Sequence, residues 1–297
     1  MDELLSNTPV YHAVPDEYVF PPEKRPANDQ LLDPTITLPV IDLADVHTVD
    51  EIIHAGKEFG FFQVIIPKLV DFFFVPGRAR MIPSFRDAAV EFFALPPEEK
   101  LPYCSDDQSK PFRVASSTTY DRRETRYWRD YLKLQCFPVH KFLPHWPARP
   151  GRFRESLAEY IVQVQRLAET LLRATSAGLQ ARHQGRWIAV EPIPNAFVIN
   201  FGHQMEIVTN GLLKSVEHRA VTNSAAARMS VATLIMPEME CRIAPAPELV
   251  GGAPKFRPFV FREFMEAYAA AAASREDVLN RFSIRPSEAE AEATRAE

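Results

Sequence analysis

Apolar residues recur at helical spacing in two long stretches of the chain. Over 84–95, Phe85, Ala88, Ala89, Phe92 and Phe93 fall at i, i+3, i+4, i+7 and i+8, one face of an α-helix that Leu95-Pro96-Pro97 stops. Over 152–177, Phe153, Leu157, Tyr160, Val164, Leu167 and Leu171 make a second stripe, and Gly178 stands where a C-terminal cap belongs. Thr48 and Glu51 have capping-box spacing ahead of a third helix ending at Gly60. Elsewhere the period shortens: Leu38–Leu43 and Phe61–Ile66 read as strands, the second buried. After Gly178, residues 187–190, 196–200, 213–222 and 228–236 are short apolar runs separated by turn residues, the pattern of antiparallel strands. A last helix is expected near 261–282, through Phe261, Phe264, Met265, Tyr268, Val278, Leu279 and Phe282. Residues 1–37, rich in Pro, Asp and Glu, suit an extended arm, and the Ser/Glu/Ala-rich 285–297 a disordered tail. No repeat or linker interrupts the rest. The expectation is an α+β fold in one domain over 38–284, with helices and strands in 38–178 and mostly strands in 179–284.

Composition narrows the function classes. At 297 residues and 46% hydrophobic content the chain can bury a sizeable core. The net charge is −5 and no Lys/Arg block is long enough to track a phosphate backbone, so no nucleic-acid partner is expected; a small neutral or acidic molecule suits better. Cys104, Cys136 and Cys241 lie far apart and form no CxxC pair, as reduced thiols of a cytoplasmic protein would. Met1-Asp2-Glu3-Leu4-Leu5 has no signal-peptide character, and no run reaches the roughly 18–20 apolar residues of a membrane span, so no membrane association is expected. Nothing specifies an oligomeric state. Phosphate loops, Gly-x-Ser-x-Gly elbows and HExxH helices are all missing from the sequence.

Chemistry enters through a set of short motifs. Asn200-Phe201-Gly202, Thr209-Asn210-Gly211, Lys214-Ser215, His218-Arg219 and Arg228-Met229-Ser230 closely resemble the C-terminal signature of plant Fe(II)/2-oxoglutarate-dependent dioxygenases. Upstream, Pro39–Leu43, Glu58–Val64, Phe92–Pro96 and Tyr127–Leu132 resemble the family's N-terminal motifs in their usual order, and Trp187–Val190 and Asn195–Asn200 extend the resemblance over most of 38–284. Its flavour is that of the flavonoid, salicylate and hyoscyamine hydroxylases. The resemblance implies a double-stranded β-helix (jelly roll) with flanking helices. It also implies Fe(II), 2-oxoglutarate as cosubstrate, ascorbate as reductant, and hydroxylation or desaturation of a small aromatic or flavonoid-like metabolite. In such a site two His and one carboxylate occupy one face of the iron and leave positions for cosubstrate and O₂. His218 matches the late iron-binding His, and alternation puts it on one strand face with Val216 and Ala220, as an inward-pointing ligand requires. Arg228 and Ser230 match the Arg-x-Ser pair. Their i, i+2 spacing lets a guanidinium grip the distal carboxylate of 2-oxoglutarate while the hydroxyl adds a hydrogen bond.

The other half of the iron site is missing from the sequence. None of the eight His is followed by x-Asp or x-Glu, the family's early ligand pair. At Ala177-Gly178-Leu179-Gln180 the long helix runs directly into residues that in the family precede the Trp187 strand. At ordinary strand and turn lengths the absent block amounts to roughly 40–60 residues, and its loss leaves the roll incomplete, with exposed strand edges. A second departure is the apolar stretch 65–78, where the family has an Asn-His-Gly turn. His203 and Glu206, three apart on a helical turn, are conceivable substitute ligands, though a polar exposed turn is the simpler reading. His183 has no carboxylate at ligand spacing. The sequence therefore supports two readings: an oxygenase of this family, catalytically impaired, or a non-catalytic pseudoenzyme or defective variant with altered exon boundaries that acts at most as a binding protein.

Overall fold

The structure is a computed structural model and describes residues 4–7, 13–22, 35–43, 45, 47–65, 81–105, 107, 110–116, 126–168, 174–175, 179–193, 196–221, 229–274 and 277–284. In chain order its main elements are β1 (Val40–Asp42), α1 (Thr48–Glu58), β2 (Phe61–Ile65), α2 (Met81–Phe93), β3 (Phe112–Ser116), β4 (Asp130–Leu134), α3 (Phe153–Ala168), β5 (Ala174–Thr175), β6 (Leu179–His183), β7 (Arg186–Ala189), β8 (Phe197–Asn200), α4 (His203–Val208), β9 (His218–Ala220), β10 (Val231–Ala232), β11 (Arg242–Ile243), β12 (Phe259–Val260) and α5 (Phe261–Ser274). These gather into two compact units, one drawn from 1–31, 66–178 and 220–233, the other from 32–65, 179–219 and 234–297. Among the described residues no helix is long and apolar enough to cross a membrane. The proposed tail 285–297 and the atypical stretch 66–80 lie outside the described residues.

In the first unit the periodic face of α2 meets that of α3. Phe85 stacks on Tyr160 at 5.1 Å and meets Phe153 edge-on, and Phe92 lies 5.6 Å from Phe153. Phe142, Trp146 and Leu157 complete this core, and Val114 reaches it from the antiparallel β3–β4 hairpin. The N-terminal segment contributes Leu4, which is buried in the core, and Tyr18, whose ring meets Trp128 edge-on at 4.8 Å. Lys100 is fully buried, yet its ammonium donates to the Phe93 carbonyl at the end of α2 (2.7 Å) and to Ser6 Oγ (3.2 Å). Burial pulls its pKa down while Asp130 and Cys104 oppose the shift. Helix α3 is described over Phe153–Ala168, and Ala174–Thr175 is a strand paired with β10, so the helix does not reach 177 as the apolar stripe suggested; Gly178 lies outside the described residues.

In the second unit β2 is sandwiched between β1, parallel, and β8, antiparallel, which is why Phe61, Phe62, Gln63 and Val64 are all buried. Gly60 joins α1 to β2 at φ +64, and a Cβ there would lie 2.4 Å from the Lys214 carbonyl, so both conformation and space call for glycine. The expected capping box does not form: Thr48 is already inside α1 and its hydroxyl donates to the Asp42 and Asp45 carbonyls. A second sheet has the order β7-β6-β9, with β6 and β7 joined by Gln184-Gly185, both at positive φ, as a type I′ hairpin turn demands. Phe256, Phe259, Phe261, Phe264 and Phe282 pack with Ile207 and Ile243 in a third cluster beneath α5. The last helix stops at Ser274, and Val278–Arg281 is a separate 3-10 turn capped by Asp277.

Candidate functional site

The segment leading to His218 is built by polar side chains that satisfy a tight turn. The Thr209 hydroxyl donates to the Met205 carbonyl (2.7 Å) and accepts from the Leu213 amide (3.1 Å), closing the end of α4. Asn210, at φ 51, accepts the Lys255 amide on its side-chain oxygen at 2.8 Å. Glu206 accepts the Ser215 amide at 2.7 Å, and the Lys214 amide donates to the Gly56 carbonyl of α1 at 3.0 Å. These contacts engage the amides of 213–215, and among the described residues of the expected 213–222 run His218–Ala220 is strand.

His218 and Ala220 share a face of β9 as alternation requires, but that face is exposed. β9 is the outer strand of β7-β6-β9, and no further strand pairs with it among the described residues. The His218 ring lies 5.2 Å from that of Phe61, and its Nδ1 is 3.2 Å from the Val216 carbonyl. Its neighbour Arg219 is structural. The guanidinium sits 3.9 Å over the Trp187 ring and Nε donates to Gln180 Oε1 at 2.7 Å, fastening β9 to the hairpin. Burial draws the Arg219 pKa down, against the pull of Glu217.

Ser230 is exposed just before β10 and belongs to the first compact unit, whereas His218 belongs to the second. Arg228 lies outside the described residues. The conceivable substitutes are otherwise engaged: Glu206 holds the Ser215 amide, and the His203 ring packs 5.9 Å from Phe264 and 6.3 Å from Tyr268. Burial lowers the His203 pKa, offset by Asp277 and Glu206 and reinforced by His218. His183 does meet a carboxylate that sequence spacing hid. It stacks on Phe59 at 4.4 Å, with Nε2 3.9 Å from Glu58 Oε1, because β6 packs beside the end of α1. Among the described residues no three His, Cys, Asp or Glu side chains converge as a metal site requires. Among the described residues, with His218 exposed and no carboxylate converging on it, the side chains do not fit an iron centre.

Free thiols are the other candidate reactive groups. Burial pushes the Cys136 thiol up to about 11, whereas Cys241 is exposed. At pH 8 iodoacetamide should therefore modify Cys241 in the native protein and leave Cys136 unmodified until denaturant is added. Peptide mapping checks this, and early native-state labelling of Cys136 would contradict its burial.

Structural comparison defines the class. The crystal structure of JOX2 in complex with 2OG, Fe, and JA matches with a TM-score of 0.70 and 25% identity, covering 88% of this chain and 91% of that one. The fold is that of the jelly-roll 2-oxoglutarate–Fe(II) oxygenases. Sequence profiles agree: the 2OG-Fe(II) oxygenase superfamily profile matches residues 166–237, and that of the non-haem dioxygenase in morphine synthesis N-terminal region matches 38–149. The 2'-deoxymugineic-acid 2'-dioxygenase of Hordeum vulgare is 34% identical, with 90% of this chain and 94% of the relative aligned; flavanone 3-dioxygenase 2 of Oryza sativa subsp. japonica is 30% identical, with 94% and 97% aligned. The chain belongs to the Fe(II)/2-oxoglutarate-dependent dioxygenase family, whose members use Fe(II) and 2-oxoglutarate.

Proposed function

We propose that this chain is a dioxygenase-family protein whose iron site is incomplete, so that it binds a small organic acid but does not couple 2-oxoglutarate decarboxylation to substrate oxidation. The observation that carries this reading is the sequence itself: eight His and no His-x-Asp or His-x-Glu among them. A second observation supports it. Against the Hordeum vulgare relative, 90% of 297 residues is about 267, which leaves about 63 of the 330 aligned positions without a residue of this chain. That total is a little above the roughly 40–60 residues expected for the absent block of strands. The exposed face of His218 is what an inward-facing strand shows when the strands opposite it are gone.

In this reading His218 keeps the position of the late iron ligand, and Arg228 with Ser230 keeps the grip on the distal carboxylate of 2-oxoglutarate. A single imidazole holds Fe(II) weakly because every missing ligand is replaced by water, and selection among metals is lost with the geometry. The substrate class that the family position suggests is a small aromatic or flavonoid-like metabolite, hydroxylated or desaturated by complete members. Altered exon boundaries at codons 66–82 and 178–179 explain both departures from the family pattern. The test is equilibrium dialysis of Fe(II) under argon, with and without 2-oxoglutarate. The expected result is no stoichiometric retention and no difference between the chain and His218→Ala. Retention of one Fe(II) per chain, lost in His218→Ala, would refute the incomplete site.

A further inference from the structure

We propose that Arg113, with Lys133 beside it, forms a recognition site for a small organic carboxylate on the outer face of the β3–β4 hairpin. The register pairs Arg113 directly with Lys133 and Ala115 with Tyr131, so these four side chains share one face while Phe112, Val114, Leu132 and Leu134 turn into the core. Two cations directly opposite each other repel. The Lys133 pKa is lowered, by burial first and by Arg113 second. Asp130 points to the other face, where it accepts from the Leu5 and Ser6 amides.

Arg113 is only 4% exposed, and its Nε has no hydrogen-bond partner. It is the one charged side chain among the described residues with such a buried orphan atom; its Cζ lies 5.2 Å from the Tyr131 ring centroid. Lys100, equally buried, has two acceptors. Burying a guanidinium without an anion is costly, and natural folds keep such a group where a ligand completes it. The side of a guanidinium that carries Nε and one terminal nitrogen matches a carboxylate bidentately. The Tyr131 ring lies beside the guanidinium, and Lys133, opposite Arg113 in the register, is exposed. This site does not rest on the iron-site reading.

The test is equilibrium dialysis of radiolabelled benzoate against the full-length chain, with thermal midpoints measured alongside. The unmodified chain should bind one benzoate. Arg113→Met should bind about tenfold or more weakly while its ligand-free midpoint holds or rises, because an unpaired buried charge has been removed. Lys133→Gln, at the exposed rim, should weaken binding about threefold with the fold intact, which keeps the test decisive if Arg113→Met fails to fold. Arg228→Ala should bind benzoate unchanged, separating this site from the 2-oxoglutarate grip. No binding by the unmodified chain, equal binding by Arg113→Met, unchanged binding by Lys133→Gln, or a midpoint lowered by Arg113→Met with binding unaltered would each overturn the proposal. Inorganic phosphate bound as tightly as benzoate would refute the carboxylate class.

Discussion

A chimera carrying, between Gly178 and Leu179, the segment that separates the corresponding positions in the Hordeum vulgare relative will form succinate from 2-oxoglutarate on the order of 10³-fold faster, or more, than the chain itself. The reasoning is structural as well as chemical. On the proposed reading the segment restores the early His and carboxylate that an iron site needs beside His218. On the same reading it supplies strands to pair with β9, the outer strand of its sheet among the described residues. The same chimera should therefore show His218 protected from diethylpyrocarbonate, whereas in the chain itself the exposed ring should react readily. An equally reactive His218 in both proteins would mean that the strand face remains uncovered.

Trp146→Ala should cost about 3–5 kcal/mol, a large part of the roughly 5–15 kcal/mol that holds a domain of this size folded. Trp146 is fully buried among Phe142, Phe153 and Leu157, and its indole N–H donates to the Gln135 carbonyl at 3.0 Å. Truncation opens a cavity and leaves that carbonyl unsatisfied at once. Urea unfolding followed by circular dichroism measures the loss. A midpoint unchanged within error would show that the α2–α3 core does not carry the first unit.

The elements that sequence made legible are those whose periodicity coincides with burial. The α2 stripe of Phe85, Ala88, Ala89 and Phe92 and the apolar runs of β2 and β8 are recovered with shifts of a few residues at their ends. What was not legible depends on contacts remote in sequence. Thr48 looks like a capping residue, yet the Asp42 and Asp45 carbonyls take its hydroxyl. Residues 213–217 read as strand, but the Gly56 carbonyl and Glu206 carboxylate claim the Lys214 and Ser215 amides and bend the chain away. The β3–β4 hairpin had a usable signal, the alternation of Phe112, Val114, Leu132 and Leu134 into the core. That same alternation assigns Arg113 to the outer face and gives no hint that it is buried there.

At the candidate site, family motifs pointed to His218, Arg228 and Ser230, and the missing His-x-Asp was legible from a scan of the eight His. The exposure of His218 was not. Alternation fixes which residues share a face of β9, but only the neighbouring strands decide whether that face is covered. Likewise the approach of Glu58 to His183 arises from the packing of α1 beside β6, across more than a hundred residues of chain.

The most direct test of the incomplete iron site is succinate formation from 2-oxoglutarate by the purified full-length chain, with Fe(II) and ascorbate supplied and His218→Ala run alongside. The account predicts succinate at the protein-free background for both proteins. Turnover well above background that disappears in His218→Ala would mean that other residues complete the iron site, and would contradict it.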